Sequence, residues 1–294
     1  MARLRVIGPA LVAVGLLASC APPSPADPID RDGPDLPTVT ASPSPTPDPY
    51  ALVPGTNHNA RAASYAYPAA KVRRWLVDGP EATDYPSKKI AFLTFDDGPS
   101  DTTTPQDLDI LREKGVPASF FYIAGRSLAD TDPAVPRRTI AEGHAVCVHS
   151  YSHNYHLLYP GRYADPVAIE KDREKAMKGI RAVLGPEYDT GCFRYPGGHM
   201  SWRGMAKADK VLDKHGVSWI DWNVITGDAE PPGRAPTTPE GAVKEVDETL
   251  AMAGRPNVVV VLMHDAEGMT LSTRALPQVI DHLEADGYGF GIIS

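Results

Sequence analysis

Short apolar runs alternate with helix-like segments along the chain from residue 90 onward. The runs are four to eight residues long, which is typical of strands, and they predict seven of them, at residues 90–95, 118–124, 145–149, 192–195, 217–224, 257–264 and 288–293. Strands that alternate with helices indicate a parallel sheet, and seven of them favour an α/β fold of the distorted (β/α) barrel type over a flat, doubly wound sheet. In either architecture the functional groups gather at the carboxyl ends of the strands.

Capping residues and glycines mark the ends of the intervening helices. Thr104-Pro105 and Asp165-Pro166 each place a capping side chain before a proline at the first helical position, and Pro239 follows Thr238 in the same way. A glycine follows each helical segment before the next strand begins, at Gly115, Gly143, Gly185, Gly216, Gly254 and Gly287.

The first twenty residues are expected to be an export signal. Arg3 and Arg5 precede an apolar stretch, residues 6–17, that is too short to span a bilayer as an ordinary helix. The stretch ends in Leu17-Ala18-Ser19-Cys20, which resembles the lipobox of bacterial lipoproteins, in which the cysteine is lipidated and becomes the new N-terminus. The alternative is an ordinary signal peptide in which Cys20 is incidental.

Residues 21–66 form a predicted tether, and residues 67–294 form one predicted domain. The tether contains the run "ASPSPTPDPY" and has few apolar side chains to offset the entropy of ordering, so we expect an extended, solvated segment. The remaining stretch of about 230 residues has the size of one α/β domain.

The charge of the chain argues against two classes of partner. Loss of the signal removes Arg3 and Arg5 but no acidic residue, which leaves 27 basic and 37 acidic side chains and a formal charge of −10. This acidic balance disfavours nucleic-acid binding and a polybasic attachment to anionic lipid. The remaining cysteines, Cys147 and Cys192, each lie near a predicted strand end, and either a disulfide or two separate buried thiols is compatible with the sequence.

Ionisable side chains follow several of the predicted strands at the same edge of the sheet. Asp96 and Asp97 follow the first strand in "TFDDGPS", where the Asp-Gly and Gly-Pro steps alone would indicate only a turn. His149 and His153 follow the third strand, with a four-residue spacing that could be coincidence or a metal site. Together, two imidazoles and a carboxylate predict an open three-ligand zinc site, and the second carboxylate can accept a proton from bound water.

Two further strands end in groups that point to the same chemistry. Arg194 begins "RYPGG" after the fourth strand, where a surface arginine beside a Pro-Gly loop is the alternative. The strand in "NVVVVLMHD" ends on His264 and Asp265, and an ionisable pair at the end of a buried strand is unfavourable unless it is paired. The convergence of these groups indicates a metal-assisted hydrolase.

The motifs "TFDDGP", "HSYSH", "RYPGG" and "LMH", in this order, resemble those of the polysaccharide deacetylases, the NodB-type domain of carbohydrate esterase family four. The resemblance covers residues 88–294 and implies a distorted β/α barrel that hydrolyses acetyl groups from a polysaccharide. It implies that Asp97, His149 and His153 are the metal ligands, for Zn²⁺ or else Co²⁺ or Ni²⁺. It also implies that Asp96 is the general base and that Arg194 pairs with it and keeps it ionised.

The resemblance also assigns the other side of the site. His264 would be the general acid that protonates the leaving amine, and Leu262 would form the apolar wall around the acetyl methyl group. A backbone N–H in the region of Gly197 would meet the oxyanion together with the metal.

One motif departs from the family pattern. The family usually has Asp-x-x-Asp-Trp after the fifth strand, whereas this chain has Ile225 and Ala229 at the first and last of these positions and retains Asp228, which could orient His264. The shape of the pocket therefore does not follow from the resemblance. Trp202 or Trp222 could supply an aromatic wall, although a core position is the more common one. The remaining histidines of interest are interpreted as structural or surface residues, namely His144, His156, His199 and His215.

These observations predict a monomeric N-deacetylase that acts on N-acetylglucosamine units of a cell-wall polysaccharide, either peptidoglycan or a chitin-like polymer. A lipid on Cys20 would anchor it to the outer face of the cell membrane, where the wall is the first polymer that it meets. The alternatives are an O-acetyl esterase on xylan or another acetylated glycan, and a glycan-binding module without turnover.

Overall fold

The strands of the computed structural model, which describes residues 48–294, are all paired in parallel, apart from one isolated bridge. In chain order they are β1 (Ala66–Tyr67), β2 (Ile90–Asp96), β3 (Ser119–Tyr122), β4 (Ala145–Val148), β5 (Cys192–Phe193), β6 (Ser218–Trp219), β7 (Val224–Ile225), β8 (Val258–His264), β9 (Gly289–Phe290) and β10 (Ile292–Ile293). Eight of them form the main sheet, seven in the order β6-β5-β4-β3-β2-β8-β7, with β9 paired to β2, which agrees with the predicted fold class.

The sheet is curled because its two edge strands are close neighbours in the chain. β6 ends at Trp219 and β7 begins at Val224, yet they lie at opposite edges of the sheet. Five residues reach at most about 18 Å, whereas the edges of a flat seven-stranded sheet would be about 29 Å apart at about 4.8 Å per strand. The connection therefore requires an incomplete barrel. The single strand predicted at residues 217–224 was wrong, since this segment contributes both edges.

Nine helices are present in residues 48–294: α1 (Ala69–Asp78), α2 (Thr103–Lys114), α3 (Arg126–Asp130), α4 (Ala134–Ala141), α5 (Tyr155–Leu158), α6 (Pro166–Leu184), α7 (Met205–Asp213), α8 (Pro239–Met252) and α9 (Thr270–Ala285). Two predicted caps are confirmed. The Asp165 carboxylate accepts hydrogen bonds from the N–H groups of Val167 and Ala168, and the Thr238 hydroxyl accepts one from Gly241. None of the helices described in this region is long and apolar enough to cross a membrane.

The predicted cap of α2 was wrong. The Ser100 hydroxyl accepts hydrogen bonds from the N–H groups of Thr103 and Thr104 at 2.9 and 3.3 Å. The Thr104 hydroxyl instead donates to the Asp265 carboxylate at 2.6 Å, since α2 already begins at Thr103 and Thr104 lies within its first turn. This exchange links the start of α2 to the end of β8.

The segment before residue 67 is part of the folded unit. Buried Asn57 donates to the carbonyl of Ile293 at 3.0 Å, and buried Asn59 donates to that of Ile140 at 2.8 Å. The predicted strand at 288–293 is likewise divided, since β9 pairs with β2 and β10 pairs with β1. The globular part thus begins earlier than the predicted residue 67. The predicted export signal, residues 1–20, and residues 21–47 of the predicted tether lie outside the described residues.

Alternation along β2 separates two parts of the core. Ala91, Leu93 and Phe95 pack in the larger cluster, between the sheet and its helices, whereas Phe92 belongs to a second cluster inside the curled sheet with Trp75 of α1. Since the side-chain period of a strand is two, Thr94 and Asp96 share the inward face with Phe92. Because Asp96 is the last residue of β2, this placement brings its carboxylate to the end of the barrel interior where the strands have their carboxyl ends.

Cys147 and Cys192 form a disulfide inside the barrel. Both residues are fully buried, and their Cα atoms are 5.2 Å apart, within the range that a disulfide requires. Of the two alternatives that the sequence left open, the structure has the disulfide. It joins β4 and β5, the strands that carry the segments of His149 and Arg194.

Candidate active site

Asp96 forms a buried ion pair with Arg194. The Arg194 Nη1 group donates to Asp96 Oδ1 at 2.6 Å and to the Thr94 hydroxyl at 2.9 Å. Its Nε group donates to the carbonyl of Ile220 at 2.8 Å. Asp96 is 2% and Arg194 0% exposed, so neither charge has appreciable access to water. Partners on several sides are what a buried charge requires, and they hold the Asp96 carboxylate in one orientation.

Asp97, His149 and His153 bring three potential ligand atoms together. Asp97 Oδ1 is 3.4 Å from His149 Nε2 and 3.2 Å from His153 Nε2. Two ligand atoms that are about 2.1 Å from a tetrahedral ion are themselves about 3.4 Å apart. Asp97 Oδ1 is also buried without a hydrogen-bond donor, which is unusual for a carboxylate oxygen. Both observations fit a metal ion at this position, and these three residues could hold it.

Backbone conformation and a second hydrogen bond orient the triad. Asp97 and His153 have φ values of 72° and 48°, a region that residues other than glycine seldom occupy. His149 Nδ1 lies 2.9 Å from the carbonyl oxygen of Arg194, which can only accept, so Nδ1 carries the proton and Nε2 faces Asp97. Burial opposes ionisation of Asp97, but the facing imidazoles of His149 and His153 outweigh it and lower the pKa of this carboxyl group.

His264 lies at the end of β8 and is oriented by Asp228. His264 Nδ1 donates to Asp228 Oδ1 at 2.9 Å, and the His264 backbone N–H donates to Oδ2 at 2.9 Å. The Ser272 hydroxyl donates to the same Oδ2 at 2.6 Å. Burial alone would lower the pKa of His264, but the hydrogen bond and charge of Asp228 outweigh it and raise this pKa to about 9. His264 can therefore carry a proton at neutral pH.

Asp265 accepts a hydrogen bond from the loop after β2 and holds this loop in place. Its carboxylate accepts from the Gly98 N–H at 3.1 Å and from the Thr104 hydroxyl. A Cβ atom at position 98 would overlap this carboxylate, so glycine is required there. Burial raises the pKa of Asp265 to about 7, against the effect of the Thr104 hydrogen bond. The residue is fully buried and does not line the cavity described next.

The motif residues converge on one cavity of about 290 Å³. Eight of the nine predicted site residues line it, namely Asp96, Asp97, His149, His153, Gly197, Asp228, Leu262 and His264. Arg194, the ninth, lies buried beneath it. A larger cavity, of about 1070 Å³, lies beside the residues that precede β3 and β4, at the amino-terminal ends of these strands. It contains none of these groups.

The walls of the cavity contain residues that the sequence interpretation left open or missed. Trp222 lines it, together with Ile225 and Ala229, the two positions that depart from the family pattern. Tyr155 and Glu230 line it as well and were not predicted, although Tyr155 follows the "HSYSH" motif by two positions. Trp202 does not line it. Nor do the four histidines interpreted as structural or surface residues, His144, His156, His199 and His215.

Comparisons with known proteins agree with this geometry. A family model for polysaccharide deacetylase matches residues 83–220. The peptidoglycan-N-acetylglucosamine deacetylase of Bacillus cereus is 30% identical over 71% of this chain and 88% of its own length, and the chitooligosaccharide deacetylase of a Bradyrhizobium strain is 29% identical over 70% and 89%. The structure of a CE4 esterase of Streptococcus mutans superposes with a TM-score of 0.78 at 40% identity, covering 84% of this chain and all of that one. We conclude that the chain belongs to the polysaccharide deacetylase family and is a hydrolase.

Proposed function

We propose that this protein removes N-acetyl groups from N-acetylglucosamine units of a cell-wall polysaccharide, either peptidoglycan or a chitin-like polymer, and that it requires a divalent metal ion. The observation that carries the proposal is the pairing of Asp96 with Arg194 and of His264 with Asp228 at one cavity that also contains the metal triad. Relatives at 30% and 29% identity are named for peptidoglycan N-acetylglucosamine and chitooligosaccharides. Two imidazoles and one carboxylate suit Zn²⁺, and Co²⁺ or Ni²⁺ can take the same ligands.

Each group has a part in amide hydrolysis. A bound divalent ion would polarise the acetyl carbonyl group and acidify the attacking water. Asp96, held by Arg194, accepts the proton of this water as it attacks the carbonyl carbon. His264 donates its proton to the amide nitrogen while the C–N bond breaks, so that acetate and a free amine are released. Leu262 lines the cavity, where it would contact the acetyl methyl group, and a backbone N–H in the region of Gly197 would donate to the oxyanion.

The first experiment is acetate release by residues 48–294, loaded with Zn²⁺, on peptidoglycan, chitin oligomers and acetylated xylan. We expect release from the N-acetylated polymers, with the Asp96→Asn variant as the blank. Release from xylan alone would overturn the proposal in favour of an O-acetyl esterase. No release with Zn²⁺, Co²⁺ or Ni²⁺, despite binding to glycan, would favour a binding module.

The esterase is retained as a second candidate because of two solved structures. The Streptococcus mutans relative at 40% identity is described as an esterase, and a CE4 domain of a multidomain xylanase is 27% identical with a TM-score of 0.56. Ester hydrolysis would use the same base and the same cavity, but the departure of its leaving group would depend less on a proton from His264. The ratio of N-acetyl to O-acetyl hydrolysis on matched sugars separates the two.

A change in pH dependence tests the role of His264. Replacing Asp228 with asparagine removes the charge that raises the pKa of His264, so this pKa is expected to fall from about 9. A general acid acts in its protonated form, and activity declines as the pH rises through its pKa. The alkaline limb of the kcat profile should therefore move to lower pH. An equal loss at every pH would instead indicate a structural role, and the Ser272→Ala variant, which keeps the charge, is the control.

The proposed location rests on the N-terminal sequence. We propose that Cys20 carries lipid and holds the enzyme at the outer face of the cell membrane, and that residues up to about 47 tether the domain to it. Cells grown with a labelled fatty acid are expected to label the natural chain and not the Cys20→Ser variant. Equal labelling of both would contradict the anchor.

A further inference from the structure

We propose that an exposed face beside the cavity binds the part of the glycan chain that extends beyond the reacting sugar, so that long oligomers bind more tightly than short ones. This face consists of Tyr155, Tyr163, Met200 and Trp202, and is called the aromatic platform here. The inference rests on the proposed function only for the identity of the glycan.

Exposed apolar side chains are concentrated in the part of the chain that forms this face. Six of the nine exposed large hydrophobic residues in the described part of the chain lie between residues 151 and 200. Tyr155, Tyr163 and Met200 are 42%, 55% and 61% exposed. Single exposed apolar residues are common, but a concentration beside a cavity is typical of a binding surface.

Two segments are joined to form the platform. The Arg203 N–H donates to the carbonyl of Arg162 at 3.0 Å, and the Ala164 N–H donates to that of Arg203 at 2.9 Å. The Arg162 guanidinium lies 5.3 Å from the centroid of the Trp202 ring, and that of Arg203 lies 6.0 Å from the Tyr163 ring. These contacts fix the position of both rings at the surface.

The platform is continuous with the catalytic cavity. Tyr155 lines the cavity, and its ring centroid is 5.3 Å from that of His153 and 5.1 Å from that of Trp202. The Trp202 ring stacks at 4.0 Å on the buried Tyr159, and its Nε1 group donates to the carbonyl of Pro196. A chain that leaves the cavity past Tyr155 therefore meets Trp202 next.

The chemistry of the platform suits a polysaccharide. Sugar rings present apolar C–H faces, which bind aromatic rings, and a ring of hydroxyl groups, which bind charged donors. The platform offers aromatic rings together with the guanidinium groups of Arg162 and Arg203. A protein that bound here would not need a surface that continues into the cavity, whereas a glycan chain that extends from the cavity would. We therefore assign this face to the glycan.

Binding of oligomers of two lengths tests the platform. The Tyr163→Ala change would be introduced together with Asp96→Asn, which slows turnover, and compared with Asp96→Asn alone by calorimetry in the presence of Zn²⁺. We expect the Kd of the N-acetylglucosamine hexasaccharide to rise roughly threefold to tenfold and that of the disaccharide to stay unchanged. Tyr50→Ala is the matched control, since Tyr50 is 52% exposed and has the Arg61 guanidinium 5.2 Å from its ring.

Several outcomes would overturn the inference. Equal affinity of the parent protein for both oligomers would do so, as would an equal effect of Tyr163→Ala on both or a comparable effect of Tyr50→Ala. A dimer that Tyr163→Ala dissociates, without any dependence on oligomer length, would assign the face to self-association. Acetate release by the unchanged enzyme is measured separately, so failure of the proposed reaction is distinguishable from failure of the platform.

Discussion

Replacing Asp96 with asparagine is expected to leave metal binding intact and to reduce the rate of acetate release by a factor of about 10² or more. The amide can still accept a hydrogen bond from Arg194, whose Nη1 group lies 2.6 Å from Asp96 Oδ1, but it cannot take a proton from water. The metal triad consists of other residues, so its ligand atoms are unchanged. The measurements are kcat for acetate release and the zinc content of the purified protein.

The adjacent aspartate provides the matched control. Asp97→Asn removes the anionic ligand and is expected to lower zinc content together with activity, as is His153→Ala. If Asp96→Asn instead loses zinc and Asp97→Asn retains it, the roles of the two aspartates are exchanged. The thermal unfolding of Asp96→Asn should be measured as well, because Arg194 would lose its charged partner, and breaking a buried ion pair destabilises a fold by about 3–5 kcal/mol.

Removal of the disulfide between Cys147 and Cys192 is expected to destabilise the fold. Cys147 and Cys192 are 45 residues apart in the chain. In the chain-entropy account, a loop of this length contributes about 4 kcal/mol by restricting the unfolded state. The free energy of unfolding of residues 48–294, measured with urea, should be lower by about this amount in the Cys147→Ala/Cys192→Ala double variant.

A reductant gives the control for this prediction. Dithiothreitol should lower the urea midpoint of the natural sequence and leave that of the double variant unchanged. Residues 48–294 contain only these two cysteines, so thiol titration of the denatured, unreduced protein should find none free. Two free thiols, or a urea midpoint of the natural sequence that does not change with dithiothreitol, would contradict the disulfide.

Much of the fold could be predicted because its signals are local. The strands β2, β3, β4 and β8 are continuous apolar runs, and the caps of α6 and α8 consist of a side chain and the N–H groups two or three residues later. The pattern at residues 217–224 also predicts one strand, yet this segment contributes β6 and the start of β7, which lie at opposite edges of the sheet. The partners of those strands lie far away in the chain, and a local pattern does not contain them.

The sequence by itself determined which ionisable groups reach one edge of the sheet, since each follows a strand and parallel strands end together. Only the tertiary structure decided how these groups are used. It places Asp265 behind the loop and out of the cavity, pairs Cys147 with Cys192, and puts Trp222 and Tyr155 in the cavity wall. Strand order, register and side-chain packing set these distances, and they depend on contacts between residues that are distant in the chain.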